Sequence, residues 1–141
     1  MIDHLGIQCA DVPKAAAFYD TVLATIGAKR LMDFGEFIGY GIDKPDFWIG
    51  PVVPEIEPNR ELHIAFVAAD RAVVRAFFDA AVGAGAEVLH EPRVWPEYHA
   101  NYYAHSCATP TVTTSKPSAT APSESPRAGV CNRLTVGVVA A

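Results

Sequence analysis

Apolar positions in the first three-quarters of the chain switch twice between a period of two and a period near 3.6. Alternation from Ile2 to Cys9 puts Leu5, Ile7 and Cys9 on one face of a strand and His4, Gly6 and Gln8 on the other. The same alternation from Glu61 to Val67 sets Leu62, Ile64 and Phe66 against His63, Ala65 and Val67. Helical spacing follows each run: Phe18, Tyr19, Val22, Leu23 and Ile26 make one stripe, and Val73, Val74, Phe77, Phe78, Ala81 and Val82 its twin. Asp11 and Asp70 are placed as N-caps, and Pro13 suits a first turn whose amides have no partner. Gly27 and Gly85 supply the left-handed residue that stops each helix. The bulky strand faces are expected to meet the helices, leaving both histidines on the opposite side.

These elements form an internal repeat. His4 and Asp11 recur as His63 and Asp70, and Ala17-Phe18-Tyr19-Asp20 recurs 59 positions on as Ala76-Phe77-Phe78-Asp79. Gly27-Ala28 and Gly85-Ala86 close the two copies with a slip of one residue. After the first helix come three short strand candidates, Lys29–Asp33, Phe37–Gly41 and Phe47–Gly50, parted by Gly35, Asp43, Lys44 and Pro45. The unit is thus strand, helix, three strands. The second copy offers a strand around Glu87–His90, an irregular loop through Pro92, Pro96 and His99, and a strand start near Tyr102. Its last strand is expected in the region that follows.

That region changes character. No serine precedes position 104, yet residues 104–126 hold five serines, five threonines and four prolines, and no aromatic occurs after Tyr103. Such a stretch buries too little apolar surface to offset chain entropy, and only Arg133–Val139 alternates like a strand. Over the whole chain, 50% hydrophobic residues are enough for a packed core, and no apolar run reaches the roughly 20 residues of a membrane span. A net charge of -5 argues against nucleic acid as partner. Cys9, Cys107 and Cys131 have no metal-type spacing, which points to a reduced, cytoplasmic setting.

The residues just described resemble the vicinal-oxygen-chelate superfamily, the glyoxalase/bleomycin-resistance/dioxygenase proteins. Ile2-Asp3-His4-Leu5-Gly6-Ile7 with Ala17-Phe18-Tyr19 is similar to that family's first strand and helix, and Glu61-Leu62-His63-Ile64-Ala65-Phe66 to its second-module opening. Glu97-Tyr98-His99-Ala100-Asn101-Tyr102-Tyr103 resembles the loop and strand of a glyoxalase-like branch. The resemblance implies an α+β fold of tandem βαβββ modules, curled into a mixed-sheet cup with helices outside. It divides the chain into a domain over 1–103 (module one about 1–51, a linker over 52–60, module two from 61) and an aberrant tail over 104–141. It also implies a divalent metal held by His4, His63 and a glutamate on the last strand. Imidazole with carboxylate suits Zn, Mn, Fe, Co or Ni without choosing among them. Tyr98, His99, Tyr102 and Tyr103 are the expected pocket residues.

Two features depart from the family pattern. Phe47, Trp48 and Ile49 stand where a fourth ligand could sit, and none coordinates metal. The turn D-P-D-G-x-x-x-E that should carry the glutamate is absent, so the second module is expected to be incomplete. The coding triplets offer a reason. Read from the third base of each codon, the stretch from His105 to Lys116 admits F-V-R-D-P-D-G-H-N-V-E, and Pro117 to Thr120 admits A-V-C-H. A one-base shift near Ala104 thus accounts for the missing turn.

Two functions follow as expectations. One is a divalent-metal-dependent enzyme of the lyase, isomerase or dioxygenase type that chelates neighbouring oxygens of a small-molecule substrate. The other is a metal-free protein that sequesters a small molecule, or an inactive version left by the shifted ending. A homodimer is the expected assembly, with neither nucleic acid nor membrane as partner.

Overall fold

The computed structural model describes residues 2–52, 61–110 and 133–140. Most of the linker, and the Pro/Ser/Thr-rich stretch over 111–132, lie outside the described residues.

The first module runs β1 (Leu5–Cys9), α1 (Val12–Ala24), β2 (Lys29–Asp33), β3 (Ile38–Gly41) and β4 (Phe47–Pro51). The second runs β5 (Glu61–Val67), α2 (Arg71–Gly83), β6 (Glu87–Val94), β7 (Tyr103–Ala108) and β8 (Arg133–Ala140). Each makes a four-stranded sheet of matching order, β1-β4-β3-β2 and β5-β8-β7-β6. In both, the opening strand pairs in parallel with the last strand of its module and the remaining pairs are antiparallel. The repeat in the sequence is a repeat in space.

Local chemistry accounts for the helix ends. Asp11 accepts from the Lys14 amide at 2.9 Å, and Asp70 from the amides of Ala72 and Val73 at 2.7 and 2.9 Å. Gly27 and Gly85 stand just past the helices at φ +81° and +86°. Ile7, Cys9 and Ile64 are buried toward the helices, whereas His4, Gly6, Gln8, His63, Ala65 and Val67 face outward. Val82 departs from its predicted stripe and is 42% exposed.

The modules share one core. Tyr19 packs edge-on to Phe47 with centroids 4.9 Å apart, Phe47 edge-on to Phe66 at 5.4 Å, and Phe66 lies 6.2 Å from Phe77. These rings join the two halves while α1 packs against α2. Among the described residues the two sheets are not hydrogen-bonded to each other.

Two boundaries differ from expectation. β6 continues beyond His90 through Pro92 to Val94, with register shifts at Val88/His90 and His90/Arg93. An edge strand tolerates proline because its outer amides have no ladder bond to lose. The compositional seam at 104 does not coincide with a break in the sheet, since β7 runs across it and β8 lies between β5 and β7. Among the described residues, β8 thus takes the place in the second sheet that β4 takes in the first. Among the described residues no helix is long and apolar enough to cross a membrane.

Candidate functional site

His4 and His63 open equivalent strands but have different surroundings. His4 immediately precedes β1 and is exposed, with Nδ1 3.1 Å from Asp3 Oδ1. Asp3 also receives the Lys44 ammonium at 2.6 Å. The Lys44 hydrogen bond, followed by that of His4, holds the Asp3 carboxyl below its ordinary value. His63 lies within β5 on the face away from the helix, where it borders a cavity of about 280 Å³. His4 is not among the residues that line this cavity.

The cavity sits over the outward face of the second sheet. Ala65 of β5 and Ala104 and Ser106 of β7 form its base, Leu89 and His90 of β6 one side, and Trp95, Tyr98 and Tyr102 a wall. Strand alternation explains the base: Tyr102, Ala104 and Ser106 share one face, as do His63 and Ala65. The wall belongs to the β6–β7 connection, which is pinned at both ends. The Trp95 amide donates to Tyr102 O at 2.8 Å, the Tyr98 amide to Trp95 O at 3.1 Å, and the Trp95 indole to Ala104 O at 3.0 Å. Its rings then lock edge to face, with His90–Trp95 centroids at 5.0 Å and Tyr98–Tyr102 at 5.2 Å. The Arg93 guanidinium stands 3.4 Å from the Trp95 ring centre and also reaches Glu97 at 3.2 Å.

Of the four expected pocket residues, Tyr98 and Tyr102 line the cavity. His99 packs edge-on to Tyr102 from outside the lining, at 5.2 Å. Tyr103 does not line this cavity. Adjacent strand residues point to opposite faces, so it turns toward α2, where its hydroxyl accepts from Arg75 at 3.0 Å and Arg71 covers its ring at 5.1 Å. His90, Trp95, Ala65, Ala104 and Ser106 were not anticipated. The alternation that placed His63 also placed Ala65, and was the available signal for Ala104 and Ser106 once Tyr102 was assigned.

His105 borders the cavity but turns its ring away, onto Phe77 and Phe78 of α2 at 5.6 and 5.4 Å. It is 3% exposed, Nδ1 lies 3.8 Å from Cys107 Sγ, and Nε2 has no partner among the described residues. Burial lowers its pKa to about 4, so the ring is neutral near pH 7. Burial likewise raises the Cys9 and Cys107 thiols to about 11, which leaves neither as a ready thiolate.

A divalent ion of the kind the family holds needs a set of converging donors. Among the described residues no three His, Cys, Asp or Glu side chains come together in that way. His4 is engaged with Asp3, His63 borders a cavity with no carboxylate in its lining, and the described strands bring no glutamate to it. The described residues therefore do not fit the metal site that the resemblance implies.

No protein-family model matches the sequence, and no curated protein matches it. Solved structures match in fold. A glyoxalase/bleomycin resistance protein from Albidiferax ferrireducens T118 superposes with a TM-score of 0.68 at 17% identity, over 96% of this chain and 97% of that one. A lactoylglutathione lyase from Agrobacterium tumefaciens gives 0.58 at 17% identity, over 98% and 92%. The fosfomycin resistance protein FosX from Mesorhizobium loti gives 0.61 at 11% identity, over 100% and 92%. The chain has the α+β fold of the glyoxalase/bleomycin-resistance/dioxygenase proteins.

Proposed function

We propose that the chain binds a small organic molecule on the outward face of its second sheet, without a divalent ion as anchor. The observation that carries this reading is the cavity. Small residues open its base, an aromatic wall pinned by main-chain hydrogen bonds stands beside it, and His63 lies at its margin. Such a concave site, with an aromatic wall and convergent polar groups, suits ligand capture. One fold neighbour is named a glyoxalase/bleomycin resistance protein, and the resemblance to that family is what suggests a sequestering role. Free buried Cys9 and Cys107 agree with a reducing, cytoplasmic setting.

A second reading rests on a different observation, the paired His4 and His63 together with the encoded string D-P-D-G-H-N-V-E. A chain with that ending would regain a carboxylate for a divalent ion, giving a metal-dependent enzyme of the lyase or dioxygenase type. Elemental analysis of the purified protein, with His4→Ala and His63→Ala beside it, separates the two. The binding reading expects substoichiometric metal that neither substitution changes. One ion per chain, lost in both variants, overturns it.

A further inference from the structure

We propose that the cavity selects a flat, uncharged aromatic molecule of one or two fused rings, lying against the sheet with its polar edge toward an imidazole. This rests on the binding reading above and names the ligand class.

Flatness comes from the base. Ala65 pairs with Gly137, and Gly137 pairs with Ser106, so a row of three small residues crosses β5, β8 and β7. At about 4.8 Å between strands the row spans roughly 10 Å, the breadth of two fused rings. Gly137 is held small by the sheet itself, since a methyl group there would come within 2.4 Å of the His105 carbonyl oxygen. Ala104 extends the low ground one pleat along β7, up to Val139, its partner across the ladder on β8.

Aromatic character comes from the wall. Trp95, Tyr98 and Tyr102 border the cavity with rings already braced on one another, Trp95–Tyr98 tilted and Tyr98–Tyr102 edge to face, so a stacking partner meets surfaces whose ordering is complete before it arrives. Neutrality comes from what is missing from the described lining: it contains no Asp, Glu, Lys or Arg. The Arg93 guanidinium is occupied by Trp95 and Glu97. A charged ligand would lose hydration with no counter-charge to replace it. The imidazoles of His63 and His90 offer hydrogen bonding beside the hydroxyls of Ser106, Tyr98 and Tyr102. His90 stands opposite Ser106 in the β6–β7 ladder, and His63 lies one pleat repeat from Ala65 on the far strand. The two imidazoles flank the row of small residues. The volume of about 280 Å³ suits a molecule of this size.

Calorimetric titration of the full chain with three probes tests the class. 2-Naphthol is flat and neutral, 2-naphthoate is flat and anionic, and 1-adamantanol is neutral and globular. 2-Naphthol is expected to bind at least tenfold more tightly than either comparison. Ala65→Leu, at an exposed strand position, should weaken it at least tenfold with no change in melting temperature. Tyr98→Ala, 69% exposed in the wall, should do likewise. Equal or tighter binding of 1-adamantanol overturns flatness, and of 2-naphthoate overturns neutrality. Failure of 2-naphthol to bind, or binding unmoved by Ala65→Leu, overturns the proposal. If another probe binds and Ala65→Leu abolishes it, the ligand class falls and the binding reading stands. If no probe binds and the protein carries one metal ion per chain, both fall.

Discussion

Replacing His105 with leucine removes the only buried histidine and leaves His4, His63, His90 and His99, all exposed, in place. The wild-type ring lies between the second sheet and the Phe77–Phe78 face of α2, with an Nε2 that no described group satisfies. Its folded pKa is about 4 against an ordinary 6.5, with burial as the cause. Between those values the unfolded chain takes up a proton at this position that the folded chain refuses. This contribution is therefore fully present above about pH 6.5 and is lost as pH falls toward 4. At about 1.4 kcal/mol per pH unit the loss approaches roughly 3 kcal/mol. His105→Leu keeps a similar volume, removes the orphaned nitrogen, and should stabilise the protein at pH 7 by about 1–2 kcal/mol. Urea unfolding of both proteins at pH 7, 6, 5 and 4.5 measures the effect. The gap between variant and wild type should widen steadily as pH falls. Parallel stability curves, or a variant less stable than wild type at every pH, would refute the assigned burial.

Gly137→Ala should destabilise the second sheet by about 1–3 kcal/mol, because the added methyl meets the His105 carbonyl and must part β7 from β8; thermal melting reads it. Asp70→Ala leaves two first-turn amides of α2 without their acceptor and should cost about 1 kcal/mol, measured by chemical denaturation. Phe66→Ala breaks the ring contacts to Phe47 and Phe77 that join the modules; a loss of about 2–3 kcal/mol in the same assay is expected. For the shifted frame, sequencing of the coding DNA should find a one-base difference near codon 104 from an uninterrupted D-P-D-G-H-N-V-E frame. A chain rebuilt with that ending should melt higher and take up a divalent ion that His63→Ala removes. A rebuilt chain that is no more stable and still metal-free would refute the shift.

The sequence by itself determined the two modules, because their signals are local. Strand alternation, helical stripes, aspartate caps and left-handed glycines act within a few residues of each other, so His4 and His63 could be placed outward, and Phe18, Tyr19 and Phe77 inward, without coordinates. It also determined that two imidazoles, His4 and His63, stand at matching places in the two modules. Only the tertiary structure decided that Arg133–Ala140 lies between β5 and β7, since strand pairing across a long separation leaves no mark within either segment. It also decided that the β6–β7 connection brings its Trp95, Tyr98 and Tyr102 together with Ala65 of β5, remote in the chain, as well as with small residues of the adjoining β7. Tyr103 and His105 illustrate the difference. Polar or aromatic character alone gave them no direction, and the pleat turned both toward α2, one onto arginines and the other into an apolar slot. A hollow arises between segments, and its shape depends on which of the side chains brought together are small, so the cavity exists only once the second sheet is assembled.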